Sequence, residues 1–198
     1  MTRVLKSMSQ LPQDQDGAVT SAVIFLHGYG ANGADLMGLT EVLAEHMPGA
    51  LFLAPDAPEM TVIAPMGLQW FPIPWIDGSS EEDAANGLRA ASDDLNAYLD
   101  GVMVDYDLLP EQVVIFGFSQ GTMMALHVAP RREDPVAGIV AFSGRLLQAE
   151  ALQDEVQSKM PILLVHGDED EVVPIDALPH AAESLEAAAF KEDYAHVM

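Results

Sequence analysis

No cysteine occurs in the 198 residues, which excludes disulfides, thiolate metal sites and a cysteine nucleophile. Basic residues are scarce as well. Eight lysines and arginines stand against 31 acids, a formal net charge of −23. With no basic surface to displace phosphate counterions, the composition argues against nucleic-acid binding, and it disfavours attraction to anionic membranes. No apolar run is long enough to span a bilayer, and the N-terminal stretch MTRVLKSMSQLPQDQDG is too polar for a signal-peptide core. Internal repeats, low-complexity tracts and linkers are also missing. These absences predict a soluble, cytoplasmic protein whose acids form a solvated or salt-adapted surface. With 49% hydrophobic residues, the chain is expected to fold as one domain, 1–198, around a substantial core.

What is present centres on Glu111 to Ala129, EQVVIFGFSQGTMMALHVA. Gln112 to Phe116 is an apolar run rich in β-branched residues, as in a buried parallel strand. Gly117-Phe118-Ser119-Gln120-Gly121 follows at once, and Thr122 to Ala129 reads as a helix. Strand, G-x-S-x-G, helix is the arrangement in which a sharp turn lifts a serine hydroxyl clear of a sheet. The turn brings strand and helix so close that side chains at 117 and 121 would collide. Ser119 also meets a helix N-terminus, where free N–H groups favour developing negative charge. Ser119 is therefore the candidate nucleophile.

The other strands and helices alternate around it. Residues 3–8 are expected as a short edge strand, Ser21 to Leu26 as a buried strand and Asp35 to Met47 as a helix opened by Asp35. Ala50 to Ala54, Val136 to Phe142, Pro161 to Val165 and Glu192 to Val197 read as further strands. Glu81 to Leu99 is a long helix with Leu88, Ala91, Leu95 and Leu99 facing the core. Leu146 to Lys159 reads as a partial helix, and Asp176 to Ala188 as a full one. The result is an α/β chain with a mainly parallel sheet.

Gly28, Gly30 and Gly33 follow the first buried strand in G-x-G-x-x-G spacing. No phosphate-binding lysine and no ribose-binding acid accompany them, so the loop is better read as half of an oxyanion hole near Tyr29. Gln69 to Trp75 gathers three aromatics among prolines. Trp70 and Phe71 are either one wall of an apolar acyl pocket or packed core, since aromatics serve both. The acids Asp168 to Glu171 follow the strand at 161–165, at a sheet end where sites form and where the order serine, acid, histidine calls for a carboxylate. No metal-ligand spacing accompanies them, so no metal is expected there.

L-H-G-x-G (Leu26 to Gly30), Q-W-F (Gln69 to Phe71), G-F-S-Q-G (Gly117 to Gly121) and H-G-x-x-D-x-V-V-P (His166 to Pro174) resemble, in this order, the phospholipase/carboxylesterase family of α/β-hydrolases, which includes acyl-protein thioesterases. The resemblance spans the chain from Val23 onward. It implies the α/β-hydrolase fold, a Ser-Asp-His triad, no cofactor and a small-molecule ester or thioester substrate. Carried over by position, Ser119 is the nucleophile, Asp170 rather than Asp168 the triad acid, and the N–H groups of Tyr29 and Gln120 the oxyanion hole. The family's triad histidine lies in a loop after the last strand, followed by a closing helix. By that pattern the chain to Met198 is expected to lack both, leaving His196 as the fallback. Two consequences are expected. One is an uncovered strip around Tyr194 and Val197, with a homodimer as one way to cover it; the other is a rival reading as a non-catalytic or weakly active acyl-binding protein.

Overall fold

β-branched and aromatic residues build the strands, and the glycine-rich segments fall where the chain leaves the sheet. The computed structural model describes residues 2–13 and 18–190, with residues 192–197 as backbone only. In chain order the strands are β1 (Ser7–Gln10), β2 (Ser21–Leu26), β3 (Ala50–Pro55), β4 (Glu59–Met60), β5 (Leu68–Gln69), β6 (Val113–Phe118), β7 (Gly138–Phe142), β8 (Ile162–His166) and β9 (Glu192–Val197). The helices are α1 (Thr40–Leu43), α2 (Pro74–Asp77), α3 (Glu81–Asp105), α4 (Gln120–Val128), α5 (Ala149–Glu155) and α6 (Ala177–Ala187).

Seven strands form one sheet in the order β1-β3-β2-β6-β7-β8-β9, and β4 and β5 make a small separate hairpin. Only β1 runs antiparallel, against β3; every other neighbour is parallel. β6 is central, registered through Leu26↔Gly117 with β2 and Phe118↔Phe142 with β7. Their C-terminal ends therefore lie side by side, and their loops must converge there. Long helices cover the larger core, in which Leu88, Ala91, Leu95 and Leu99 of α3 are all buried, as the stripe required. A second, smaller cluster on Phe25 and Phe52 packs under the segment after β2.

Several element bounds differ from the sequence reading. The edge strand is Ser7–Gln10 because Arg3 is held elsewhere, its N–H and Nε each 2.6 Å from the buried Asp94 carboxylate. The helix expected over 35–47 is a 3-10 turn, Gly33–Leu39, followed by the short α1. Its cap is Asn32, which accepts from Ala34 N–H, while Asp35 returns a bond to Asn32 N–H at 2.9 Å. Gly38 weakens helix formation within the segment. In the other direction, α3 runs on to Asp105. The expected strip at Tyr194 and Val197, and the side chain of His196, lie outside the described residues.

Candidate active site

The elbow is a steric construction. A β-carbon on Gly117 would stand 2.6 Å from the backbone of Thr122, and one on Gly121 would strike the Leu26 carbonyl. Ser119, between them, has φ 53° and ψ −113°, a backbone state that costs a non-glycine residue about 1–3 kcal/mol. Its N–H donates to Phe142 O at 2.9 Å and its carbonyl accepts from Met123 N–H at 3.1 Å. The hydroxyl makes no hydrogen bond among the described residues. Packing thus presents a half-buried serine at the N-terminus of α4 whose oxygen has no partner among the described residues.

Glycine also sets the loop beside it. A β-carbon on Gly28 would come within 3.3 Å of Ser119 Cβ, so the loop after β2 lies directly against Ser119. Gly30, at φ 80°, turns that loop outward, and its N–H donates to Leu68 O. The N–H groups of Tyr29 and Gln120 find no acceptor among the described residues. Both therefore remain available to a developing oxyanion.

The side chain of Gln120 has a role the sequence did not disclose. Fully buried, it accepts from Trp70 N–H at 2.9 Å and donates to Phe71 O at 2.7 Å. Trp70 in turn donates from Nε1 to His27 O at 3.0 Å. Elbow, Q-W-F segment and oxyanion loop are bolted into one unit. This decides the place of the two aromatics. Trp70 is wholly buried and Phe71 is 4% exposed, so both are core rather than an open pocket wall, drawn in by the hydrogen bonds on their backbone and indole. Phe118, next to Ser119 in the elbow, is instead an exposed apolar side chain, as are Trp75 and Val172.

On the other flank, Asp170 separates from its acidic neighbours. Asp168 and Glu169 are exposed. Asp170 is half-buried, and its Oδ1 accepts from Val172 N–H at 2.9 Å and Val173 N–H at 2.8 Å. Burial alone would raise its pKa. The amides of Val173 and Val172, the Ser143 hydroxyl and nearby His166 outweigh it and hold the carboxyl below its usual range. Ser143 sits at φ 49° just after β7, between the strands that lead to the elbow and to this loop, its N–H on Val165 O at 2.8 Å. No sequence pattern marks it; only the parallel register of β6, β7 and β8 brings it there.

The described histidine rings all have other positions. His27 donates from Nδ1 to Gly28 O and accepts Ala57 N–H at Nε2, and burial lowers its pKa most. His166 donates to Val173 O and approaches Asp170 at 3.8 Å, buried beneath the loop it braces. His127 lies near the far end of α4, and His46 and His180 are on the surface. His196 pairs by backbone with Val165, at the same end of the sheet as the elbow. No three potential metal ligands converge among the described residues.

A mainly parallel sheet carrying a strained serine at a strand–helix elbow at its centre defines an α/β-hydrolase. Comparison with known proteins narrows the class. The sequence profile described as Phospholipase/Carboxylesterase matches residues 12–198, and the chain belongs to that family. It is 34% identical over 163 residues to acyl-protein thioesterase 1 of Saccharomyces cerevisiae, covering 77% of this chain and 71% of the yeast protein. Acyl-protein thioesterase 1 of Gibberella zeae is 27% identical over 184 residues, 86% of this chain and 78% of the relative. The crystal structure of esterase PE8 superposes with a TM-score of 0.92 at 34% identity, over 99% of this chain and 89% of that one. A phospholipase/carboxylesterase from Dyadobacter fermentans, at 23% identity and a TM-score of 0.76 over 100% and 88% of the two chains, shares the fold.

Proposed function

We propose that the protein is a serine carboxylic-ester hydrolase acting through an acyl-enzyme on Ser119. The observation that carries this is the elbow itself, with a serine at positive φ whose oxygen, like the Tyr29 and Gln120 N–H groups, has no partner among the described residues. Ser119 Oγ attacks the acyl carbonyl, and the Tyr29 and Gln120 amides receive the oxyanion. A histidine takes the serine proton and returns it to the leaving alcohol or thiol, then activates water for deacylation. Asp170 holds that imidazole and stabilises its charged form. Oδ1 accepts from two backbone amides, which fix the orientation of the carboxylate. Phe118, Trp75 and Val172 offer apolar surface to the acyl chain. The substrate is a small-molecule ester or thioester in the cytoplasm, with no metal or cofactor. A homodimer is an independent expectation, read by sedimentation velocity.

The test is hydrolysis of 4-nitrophenyl butyrate with and without chelator. Ser119→Ala should abolish turnover and chelation should leave it intact; the reverse would overturn the reading. One observation favours a second reading: no described histidine ring hydrogen-bonds Ser119. On that reading the fold binds acyl ligands without efficient turnover. Oxyanion hole and binding alone can exceed water by about 10³–10⁴-fold, so the second reading holds only if rates stay within that range.

A further inference from the structure

Arg145 and Trp75 form a contact whose place in the fold gives it a use. Arg145 leaves the sheet from the end of β7, two residues after Ser143. A β-carbon on the intervening Gly144 would lie 3.0 Å from Ser119 O, so this loop begins against the elbow. Trp75 comes from the opposite flank. It lies in α2, whose Asp77 accepts from Tyr29 O–H at 3.1 Å and Ile73 N–H at 2.9 Å, tying the turn to the loop after β2. β2 and β7 are the two neighbours of β6. The Arg145 guanidinium stands 5.2 Å from the centre of the Trp75 ring, so the pair joins the two flanks of the elbow strand. Trp75 is 56% exposed and Arg145 is also at the surface.

Charge sharpens the point. In a chain of net charge −23, an anionic substrate approaches against the field of the whole molecule. Arg3, Arg131 and Arg132 are each committed to carboxylates at 2.6–2.9 Å. Among the described residues Arg89 and Arg145 have no carboxylate partner; Arg89 bonds Asn86 on α3, while Arg145 leaves from the elbow's neighbouring strand. A guanidinium held over an indole by a cation–π contact keeps N–H donors for a planar anion. Resting on the proposed serine hydrolase reading, we infer that Arg145, seated on Trp75, is a specificity residue selecting esters that carry a carboxylate a few bonds from the scissile carbonyl. The apolar ring would hold the chain and the guanidinium its charged end.

The experiment compares mono-4-nitrophenyl glutarate with neutral 4-nitrophenyl butyrate on the full chain. The ratio of kcat/KM for the anionic over the neutral ester should fall about tenfold in Arg145→Gln, the scale of one hydrogen bond to a charged group. Arg145→Lys should recover part of the ratio. A ratio that Arg145→Gln leaves unchanged means that the arginine only ties together the two flanks of β6, and overturns the inference. Binding supplies a readout free of turnover. In Ser119→Ala, calorimetry should show monoethyl glutarate binding more tightly than ethyl butyrate, and adding Arg145→Gln should erase the preference. If no preference exists in Ser119→Ala, the inference fails even where hydrolysis is normal. If the preference exists but no ester is turned over, the hydrolase reading fails instead.

Discussion

Replacing Gln120 with alanine tests whether the elbow, the Q-W-F segment and the oxyanion loop are one mechanical unit. The wild-type amide satisfies a buried donor, Trp70 N–H, and a buried acceptor, Phe71 O, at 2.9 and 2.7 Å. Alanine leaves both unpaired in a region where Gln120 and Trp70 have no exposed surface. Each orphaned group costs about 1–3 kcal/mol, so the variant should lose about 2–6 kcal/mol of stability. For a domain of this size, that is a fall of roughly 5–20 °C in melting midpoint. A water admitted to the vacated space would place the loss at the lower end. Gln120→Glu is the sharper control. Its carboxylate can still accept from Trp70 N–H, but it turns an acceptor toward the Phe71 carbonyl, so it should be no better than alanine. Thermal melts followed by circular dichroism, repeated as urea titrations, read both variants. An alanine midpoint within about 1 °C of wild type, or a fully stable glutamate variant, would refute the argument.

Asp170→Asn keeps an acceptor for the Val172 and Val173 amides but removes the charge. It should lower kcat on the order of 10⁴-fold, the scale known for a triad acid in another serine hydrolase, while exposed Asp168→Asn changes it little; equal losses would void the assignment. Ser143→Ala removes the hydroxyl that helps hold Asp170 ionised, so the acid limb of the kcat/KM profile should move to higher pH. An unmoved limb would make Ser143 purely structural. His127, chiefly through burial and then through Arg131, titrates in the folded state at about 4 instead of 6.5. The unfolded chain therefore binds this proton first as pH falls. Stability that is whole above 6.5 should decline toward pH 4, and His127→Gln should flatten that part of the curve in urea melts.

The parts of this account legible in the sequence were those governed by local sterics and periodicity. Gly117 and Gly121 announced the elbow because no other residue fits there, and Ser21–Leu26 and the α3 stripe matched their apolar patterns. The sequence could not say what the side chain of Gln120 does, because its partners, Trp70 and Phe71, are about fifty positions away. The same distance hid the burial of Trp70: an indole reads alike in a core and in a pocket until its partner, His27 O, is known. Ser143 and Arg145 gain their places only from parallel strand register, which brings β7 between the nucleophile and the acid. Asn32, not Asp35, caps the segment after β2 because the acid is used in the return bond of a capping box.

The central claim is that Ser119 forms a covalent acyl-enzyme. Intact-mass spectrometry after brief exposure to a fluorophosphonate ester, followed by peptide mapping, tests it most directly. One adduct per chain on the peptide containing Ser119, abolished in Ser119→Ala and slowed in Asp170→Asn, is the expected result. An adduct on another residue, or the same labelling in Ser119→Ala, would contradict it.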